Sequence, residues 1–155
     1  MLEKLQFYID GKWVDPVSPK TLDVINPANE EPFARISLGS KADVDKAVAA
    51  AKKAFPAWSR TTKEERLAIM QKIVEAYQKH YADIVKAISQ EMGAPLGLSQ
   101  NAQAAMGIAH LTQAMKILKE FEFTKVQGTT AIEYEAVGVV GMITPWNWPI
   151  NQIAC

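Results

Sequence analysis

Few side chains in this 155-residue chain could carry chemistry. The two histidines, His80 and His110, both fall in stretches of helical periodicity, with no further His, Cys or carboxylate at a recognisable metal-ligand spacing. They are expected to be solvent-facing or hydrogen-bonded helix residues, and no metal site is expected. Cys155 is the sole candidate nucleophile, but its neighbours Asn151-Gln152-Ile153-Ala154 pattern as the inner side of a nascent helix, which predicts a small apolar core thiol. Glu30-Glu31 and Glu64-Glu65 suit a turn and a helix N-terminus, where negative charge is favourable. No GxGxxG, GxxxxGK[ST] or GxSxG pattern occurs. What is left is Thr144-Pro145-Trp146-Asn147-Trp148-Pro149. Asn147 can donate two hydrogen bonds without carrying charge, which suits stabilising an oxyanion. Composition alone leaves a Trp-rich corner that packs a helix onto a sheet equally open.

The elements that must position this loop lie on both sides of it. Val137-Gly138-Val139-Val140-Gly141-Met142-Ile143 is a nearly unbroken apolar run, the pattern of a strand buried on both faces of an α/β sheet. Ligands in open α/β sheets bind outside the carboxyl ends of strands, which puts the loop at a favoured place. Pro149 fits the first position of a following helix. Just upstream, Ala131, Glu133 and Glu135 alternate with Ile132, Tyr134 and Ala136, as in a strand with two chemically different faces. A buried parallel strand needs partners on both sides. One such strand and one helical turn therefore predict the N-terminal piece of a longer α/β protein.

Earlier in the chain, Phe7-Tyr8-Ile9 and Trp13-Val14 flank Asp10-Gly11, a hairpin signal. Leu22–Ile25 and Phe33–Ile36 read as further short strands between prolines. Three helices come next. Ser40 with Asp43 forms a capping box ahead of an apolar stripe of Val44, Ala47, Val48, Ala51 and Phe55, closed by Pro56. Thr62 with Glu65 repeats the box, and Ile69, Ile73, Tyr77, Tyr81, Ile84 and Ile88 carry one stripe to Gly93 and Pro95. The third helix is expected from near Ser99 to Phe121, its inner face Ala102, Met106, Leu111, Met115 and Leu118, with Gly107 weakening the signal.

Composition excludes several classes. With 48% hydrophobic and 22% charged residues the chain is globular rather than disordered. Seventeen basic and seventeen acidic residues cancel, which removes the footprint of a nucleic-acid binder and of a polybasic membrane anchor. The uncharged stretches Met92–Met115 and Ala136–Cys155 are broken by Gln, Asn, His and Pro and do not read as membrane spans. One cysteine and no secretory start predict a cytoplasmic protein.

The run from Gly138 through Thr144-Pro145-Trp146-Asn147-Trp148-Pro149 resembles the strand and PWN loop of the NAD(P)-dependent aldehyde dehydrogenase superfamily. Tyr8-Ile9-Asp10-Gly11-Lys12-Trp13, Ile25-Asn26-Pro27-Ala28, Ala54-Phe55 with Trp58, Glu65-Arg66, and Glu91 with Gly93 and Pro95 resemble further landmarks of its N-terminal part. Ala136, where the family usually has Pro, and Ala94, where it often has Lys, leave the subfamily open. The resemblance implies an N-terminal portion of a Rossmann-type cofactor domain: residues 1–125 as strands then helices, 126–136 as an oligomerisation-arm strand, and 137–155 as the first sheet strand, PWN loop and start of the next helix. It implies that Ile143, Thr144, Pro145 and Trp146 line an NAD or NADP cleft. Asn147 would donate to the oxyanion of a cysteine thiohemiacetal on the way to a carboxylic acid. The family's nucleophile and base fall outside these residues, and Cys155 is not in the nucleophile's motif. Implied partners are a small-molecule aldehyde and further copies of the chain, as a homodimer or homotetramer. The competing expectation is a noncatalytic binding or assembly module on the same scaffold.

Overall fold

The structure, a computed structural model, describes residues 1–155. Its N-terminal strands are β1 (Leu2–Lys4), β2 (Phe7–Ile9), β3 (Lys12–Val14), β4 (Thr21–Asn26) and β5 (Glu31–Ser37). β2 and β3 form the expected hairpin, with both turn residues at positive φ (Asp10 51°, Gly11 75°), as an Asp-Gly two-residue turn requires. β4 and β5 pair antiparallel, and β1, which sequence patterning did not suggest, adds to β5 in parallel. Asp23 and Arg35 lie opposite each other in the β4–β5 register and make an ion pair of 2.6 Å. That guanidinium holds the Asp23 carboxyl below its ordinary range.

Helices α1 (Lys41–Trp58), α2 (Lys63–Lys79) and α3 (Tyr81–Met92) come after the strands. Both capping signals operate. Glu65 Oε2 accepts the Thr62 N–H at 2.8 Å while Thr62 Oγ1 accepts the Glu65 N–H at 3.1 Å. At α1, Asp43 Oδ2 accepts from the Ser40 N–H at 2.8 Å and the Ser40 hydroxyl at 2.6 Å. Its Oδ1 accepts the Val17 N–H at 2.9 Å, which pins the β3–β4 connection to the start of the helix.

Several expectations need correction. Pro56 does not close α1, which runs on to Trp58; in the last turn its missing N–H leaves only one ladder bond unmade. The expected stripe on α1 is exposed except at Phe55, because the main element packed against α1 within this chain is the short strand β2. The long second helix is two helices, broken at His80 (φ −104°, ψ 14°). α2 packs on the last long helix of the chain, whereas α3 packs mainly on residues 99–103 just ahead of that helix and also on β4. On α2 the buried residue is Val74, with Ile69 and Ile73 exposed. The third helix starts earlier than expected, as a short turn α4 (Leu96–Leu98), a π-helical segment (Ser99–Gln103) and then α5 (Ala104–Glu120). Its most buried side is Ser99, Gln103, Ala104 and Gly107 rather than the larger residues of the expected face.

Past α5, β6 (Thr124–Gln127) and β7 (Thr130–Glu133) form an antiparallel hairpin turned at Gly128. The predicted strand thus ends at Glu133, and its partner β6 went unpredicted. The run Val137–Ile143 has no strand ladder here, and Val137 and Ile143 are 97% and 99% exposed. A parallel strand forms only against neighbours, and no segment of these residues lies beside it. The last element is α6 (Pro149–Ala154), with Pro149 at its first position as expected. Cys155 comes directly after it and is exposed, not a core thiol. No helix is long and apolar enough to cross a membrane.

Asp43 offers a test of the first capping interaction. The Ser40 hydroxyl, then the Ser40 and Val17 amides, hold its carboxyl below the ordinary aspartate range. A depressed folded-state value means stability that is present above the unfolded value of about 3.9 and is lost as pH falls through the lower folded value. Asp43→Asn is expected to flatten part of the decline in urea midpoint between about pH 5 and pH 2. An unchanged pH slope would show that Asp43 does not carry it.

Candidate functional site

The loop that carries Asn147 has no regular structure, and its setting comes from the helix on its C-terminal side. Residues 135–147 make no hydrogen bond, backbone or side chain. Ile143, Thr144, Pro145, Trp146 and Asn147 are all exposed, and they are brought together by adjacency in the chain alone. Trp148 is half-buried, and its carbonyl accepts the Gln152 N–H at 3.1 Å, the first bond of α6. Pro149 comes next, with a φ already suited to a helix.

α6 covers Pro149–Ala154. It is held by α5. Ile150 packs against the small core formed by Val85, Ile88, Ala94 and Ala104, together with Tyr81, Ile84 and Met92. The approach is close at Gly107, where a Cβ would sit 2.6 Å from Ile150 Cγ2 and 2.7 Å from Tyr77 Cζ and Oη. Only a residue without a side chain lets α2, α5 and α6 meet there. The Tyr77 hydroxyl donates to the Ala104 carbonyl at 2.7 Å. Burial, with the neighbouring Tyr81, pushes that phenol up to about 12. One turn along α5, His110 Nε2–H donates to Asn151 Oδ1 at 2.8 Å.

His110 is thus a hydrogen-bonded helix residue, one of the two outcomes expected for it. His80 instead sits at the α2–α3 junction, exposed, with Nδ1 3.2 Å from Asp83 Oδ2. Tyr77, Ile150 and Asn151 carry no mark of the site in the sequence pattern. Gly107 does leave a signal, since a glycine inside a strong helical pattern is either a weakness or a point of close contact. No three His, Cys, Asp or Glu side chains gather where they could hold a metal ion.

The chemistry available at the loop is that of neutral groups. Residues 136–155 contain no Asp, Glu, Lys or Arg. Between Ile143 and Asn147 the polar side-chain groups on offer are the Thr144 hydroxyl, the Trp146 indole N–H and the Asn147 amide. Such a segment can approach a negatively charged ligand or a developing oxyanion without local repulsion. A groove of about 740 Å³ lies elsewhere, lined by Phe55, Arg66, Phe121, Phe123 and Tyr134 among others, and no loop residue enters it.

Residues 13–155 match the model of the aldehyde dehydrogenase family. The chain is 46% identical over 155 residues to a 3-succinoylsemialdehyde-pyridine dehydrogenase of a Pseudomonas species, covering 99% of this chain and 32% of that protein. A crystal structure of an aldehyde dehydrogenase from Bartonella henselae superposes with a TM-score of 0.96 at 50% identity, over 99% of this chain and 33% of that one. A mutant of aldehyde dehydrogenase C from Pseudomonas syringae, solved with NAD+ and octanal, superposes with a TM-score of 0.93 at 44% identity, over 96% of this chain and 31% of that one. The chain spans about a third of the length of these relatives.

The contact at Gly107 predicts the effect of one methyl group. Ala gains about 1 kcal/mol of helix propensity over Gly, while overpacking costs about 1–3 kcal/mol. Gly107→Ala is expected to lower stability by up to about 2 kcal/mol, read as a reduced urea midpoint at unchanged slope. A midpoint equal to or above that of the parent would mean that α6 yields to the added methyl.

Proposed function

Because the chain belongs to the aldehyde dehydrogenase family, we propose that its residues serve as the N-terminal part of an NAD(P)-dependent enzyme that oxidises an aldehyde to a carboxylic acid. The observation that carries this reading is the uncharged, solvent-open Asn147, set just ahead of a helix seated on the core at Gly107. It lies in a chain that aligns over 96% of its length with an enzyme solved with NAD+ and octanal.

In the proposed reaction a cysteine outside these residues attacks the aldehyde carbon, and negative charge develops on the carbonyl oxygen. Asn147 donates its side-chain N–H to that oxygen, which is a neutral donor's most useful role in a water-poor site. When bound, NAD(P) takes up the hydride that leaves the substrate carbon. Water then releases the acid from the cysteine thioester. Ile143, Thr144, Pro145 and Trp146 line the cofactor side of the cleft in this reading. Their fit rests on the exposed, carboxylate-free character of the segment, which a dinucleotide's anionic phosphates can approach.

We divide the chain accordingly into the cofactor-domain part at residues 1–125, an arm at 126–136, and the first sheet strand with the loop at 137–155. The arm is the β6–β7 hairpin, every residue of whose strands is exposed and whose outer edges are unpaired. Free edges invite pairing with another copy. We place the protein in the cytoplasm as a homodimer or homotetramer, and light scattering that gives a monomer would overturn the oligomer.

Asn147 is tested in the whole enzyme. Loss of one oxyanion donor costs about 10²–10³ in kcat, and Asn147→Ala is expected to fall by that amount in steady-state assays with aldehyde and NAD(P). An unchanged kcat would remove Asn147 from the mechanism.

A further inference from the structure

The β6–β7 arm leaves the body between Phe123 and Tyr134, and whatever grips those residues sets its direction. The Tyr134 N–H donates to the Phe123 carbonyl at 2.8 Å, which closes the base of the hairpin. Phe121, the residue after α5, sets its ring edge-on to both, with centroids 4.9 Å from Phe123 and 5.4 Å from Tyr134. Lys125 lies over two of these rings, but it belongs to β6 and moves with the arm. The grip from the body comes from α2. Glu65 serves the cap of that helix, whereas Arg66 turns toward the arm. Its Nε donates to Thr61 Oγ1 at 2.9 Å and its Nη2 to the Ser59 carbonyl at 3.2 Å, so the turn between α1 and α2 holds the guanidinium in place. The plate lies over the Phe123 ring, 5.6 Å from its centroid. Three residues earlier, Lys63 Nζ donates to the carbonyls of Phe121 at 3.1 Å and Lys119 at 3.4 Å, capping the last turn of α5. Two cations of α2 thus fix two successive points, Phe121 and Phe123, on the chain that becomes the arm. All these contacts are made between residues 59 and 134.

Small errors at such a base grow along the arm. At about 3.4 Å per residue the four residues of β6 extend about 13 Å, so a tilt of about 10° moves the far end by about 2 Å. Strand pairing tolerates only a few tenths of an ångström in its hydrogen-bond distances. We propose that Arg66, assisted by Lys63, is a positioning residue for assembly: its hold on Phe123 aims the arm so that a free edge meets a second copy of the chain in register. The proposal rests on the arm reading given above. Without that hold the arm spreads over several directions, and association weakens by the fraction that stays aligned.

The test uses the whole enzyme, diluted in steps and read by mass photometry. Arg66→Met keeps the stem and removes the charged plate, and it is expected to raise the half-dissociation concentration about tenfold. Phe123→Leu leaves both turn bonds of Arg66 intact but removes the ring, and a similar rise is expected. The double variant is expected to be no weaker than either single one, because each ends the same contact. Phe123→Tyr keeps a ring face under the guanidinium and is expected to stay within about twofold of the parent. If Arg66 serves only the turn between α1 and α2, Arg66→Met lowers the urea midpoint and leaves assembly unchanged, which overturns the proposal. So do losses that multiply in the double variant, or a Phe123→Tyr as weak as Phe123→Leu. Should Arg66→Met not fold, the two Phe123 variants decide by the same criteria. Should the parent stay assembled at the lowest concentration, exchange of heavy and light subunits read by native mass spectrometry replaces dilution, with the same tenfold expected in rate. Val126→Asp with Ile132→Asp puts a charge on the arm's own strands. If that pair leaves assembly unchanged, the arm reading falls and this proposal with it; if only the Arg66 and Phe123 variants fail to weaken assembly, the arm reading stands.

Discussion

The backbone of α5 at Gly107 approaches a tyrosine of α2 and an isoleucine of α6 more closely than any side chain would permit, and the rest of the site region depends on that approach. With Tyr77 on one side and Ile150 on the other, the glycine lets three helices share one point. Tyr77 can then lie along α5 and reach the Ala104 carbonyl. That bond requires the phenol to keep its proton, as an ordinary phenol does at neutral pH, and burial pushes this one further up, to about 12. Ile150 packs against Val85, Ile88 and Ala94, which seats α6 on the core. The loop ahead of α6 inherits its position from this arrangement.

Legibility in the sequence tracks the range of the interactions. The Asp10-Gly11 hairpin, the Thr62–Glu65 box, the Ser40–Asp43 pair and Pro149 at the head of α6 all depend on residues within three or four positions of each other. Their outcome is fixed by local geometry, and residue type alone is enough to read them. The break at His80 is not readable, because the apolar stripe passes through it without interruption and no Pro or Gly marks it. Both α2 and α3 pack on the long C-terminal helical segment, α2 on α5 and α3 mainly on its π-helical turn, and α3 alone also meets β4. The π-helical turn at Ser99–Gln103 and the burial of small rather than large residues on α5 are also matters of long-range contact. Periodicity says that a helix has an inner face, whereas which neighbour presses on it is decided elsewhere in the chain.

At the candidate site the division is sharper. Asn147 and its two flanking prolines stand out by residue type, since carboxamide, indoles and prolines in six consecutive positions are rare in a plain connection. The residues that seat the loop do not stand out. Gly107 reads as a flaw in a helix, His110 as an ordinary helix histidine, and Asn151 as helix filler. Each takes its meaning from a contact more than forty positions away, between α5 and α6.

The absence of charge from residues 136–155 fits two different requirements. An uncharged apolar run is what a strand buried on both faces requires, and freedom from carboxylates is what a surface near developing negative charge requires. A carboxylate about 4 Å from an oxyanion would oppose it by roughly 4 kcal/mol at an effective dielectric constant of 20, enough to cancel the benefit of a donor such as Asn147. Val137–Ile143, which alternates no polar face and makes no ladder here, fits the first requirement. Thr144–Asn147, with one hydroxyl and one amide and a seat on α5 through the next helix, fits the second. In the proposed reading, neutrality runs across the boundary between strand and loop for two different reasons. Charge alone cannot mark that boundary; Pro145 does, at the point where a backbone donor is lost and a strand ladder must stop.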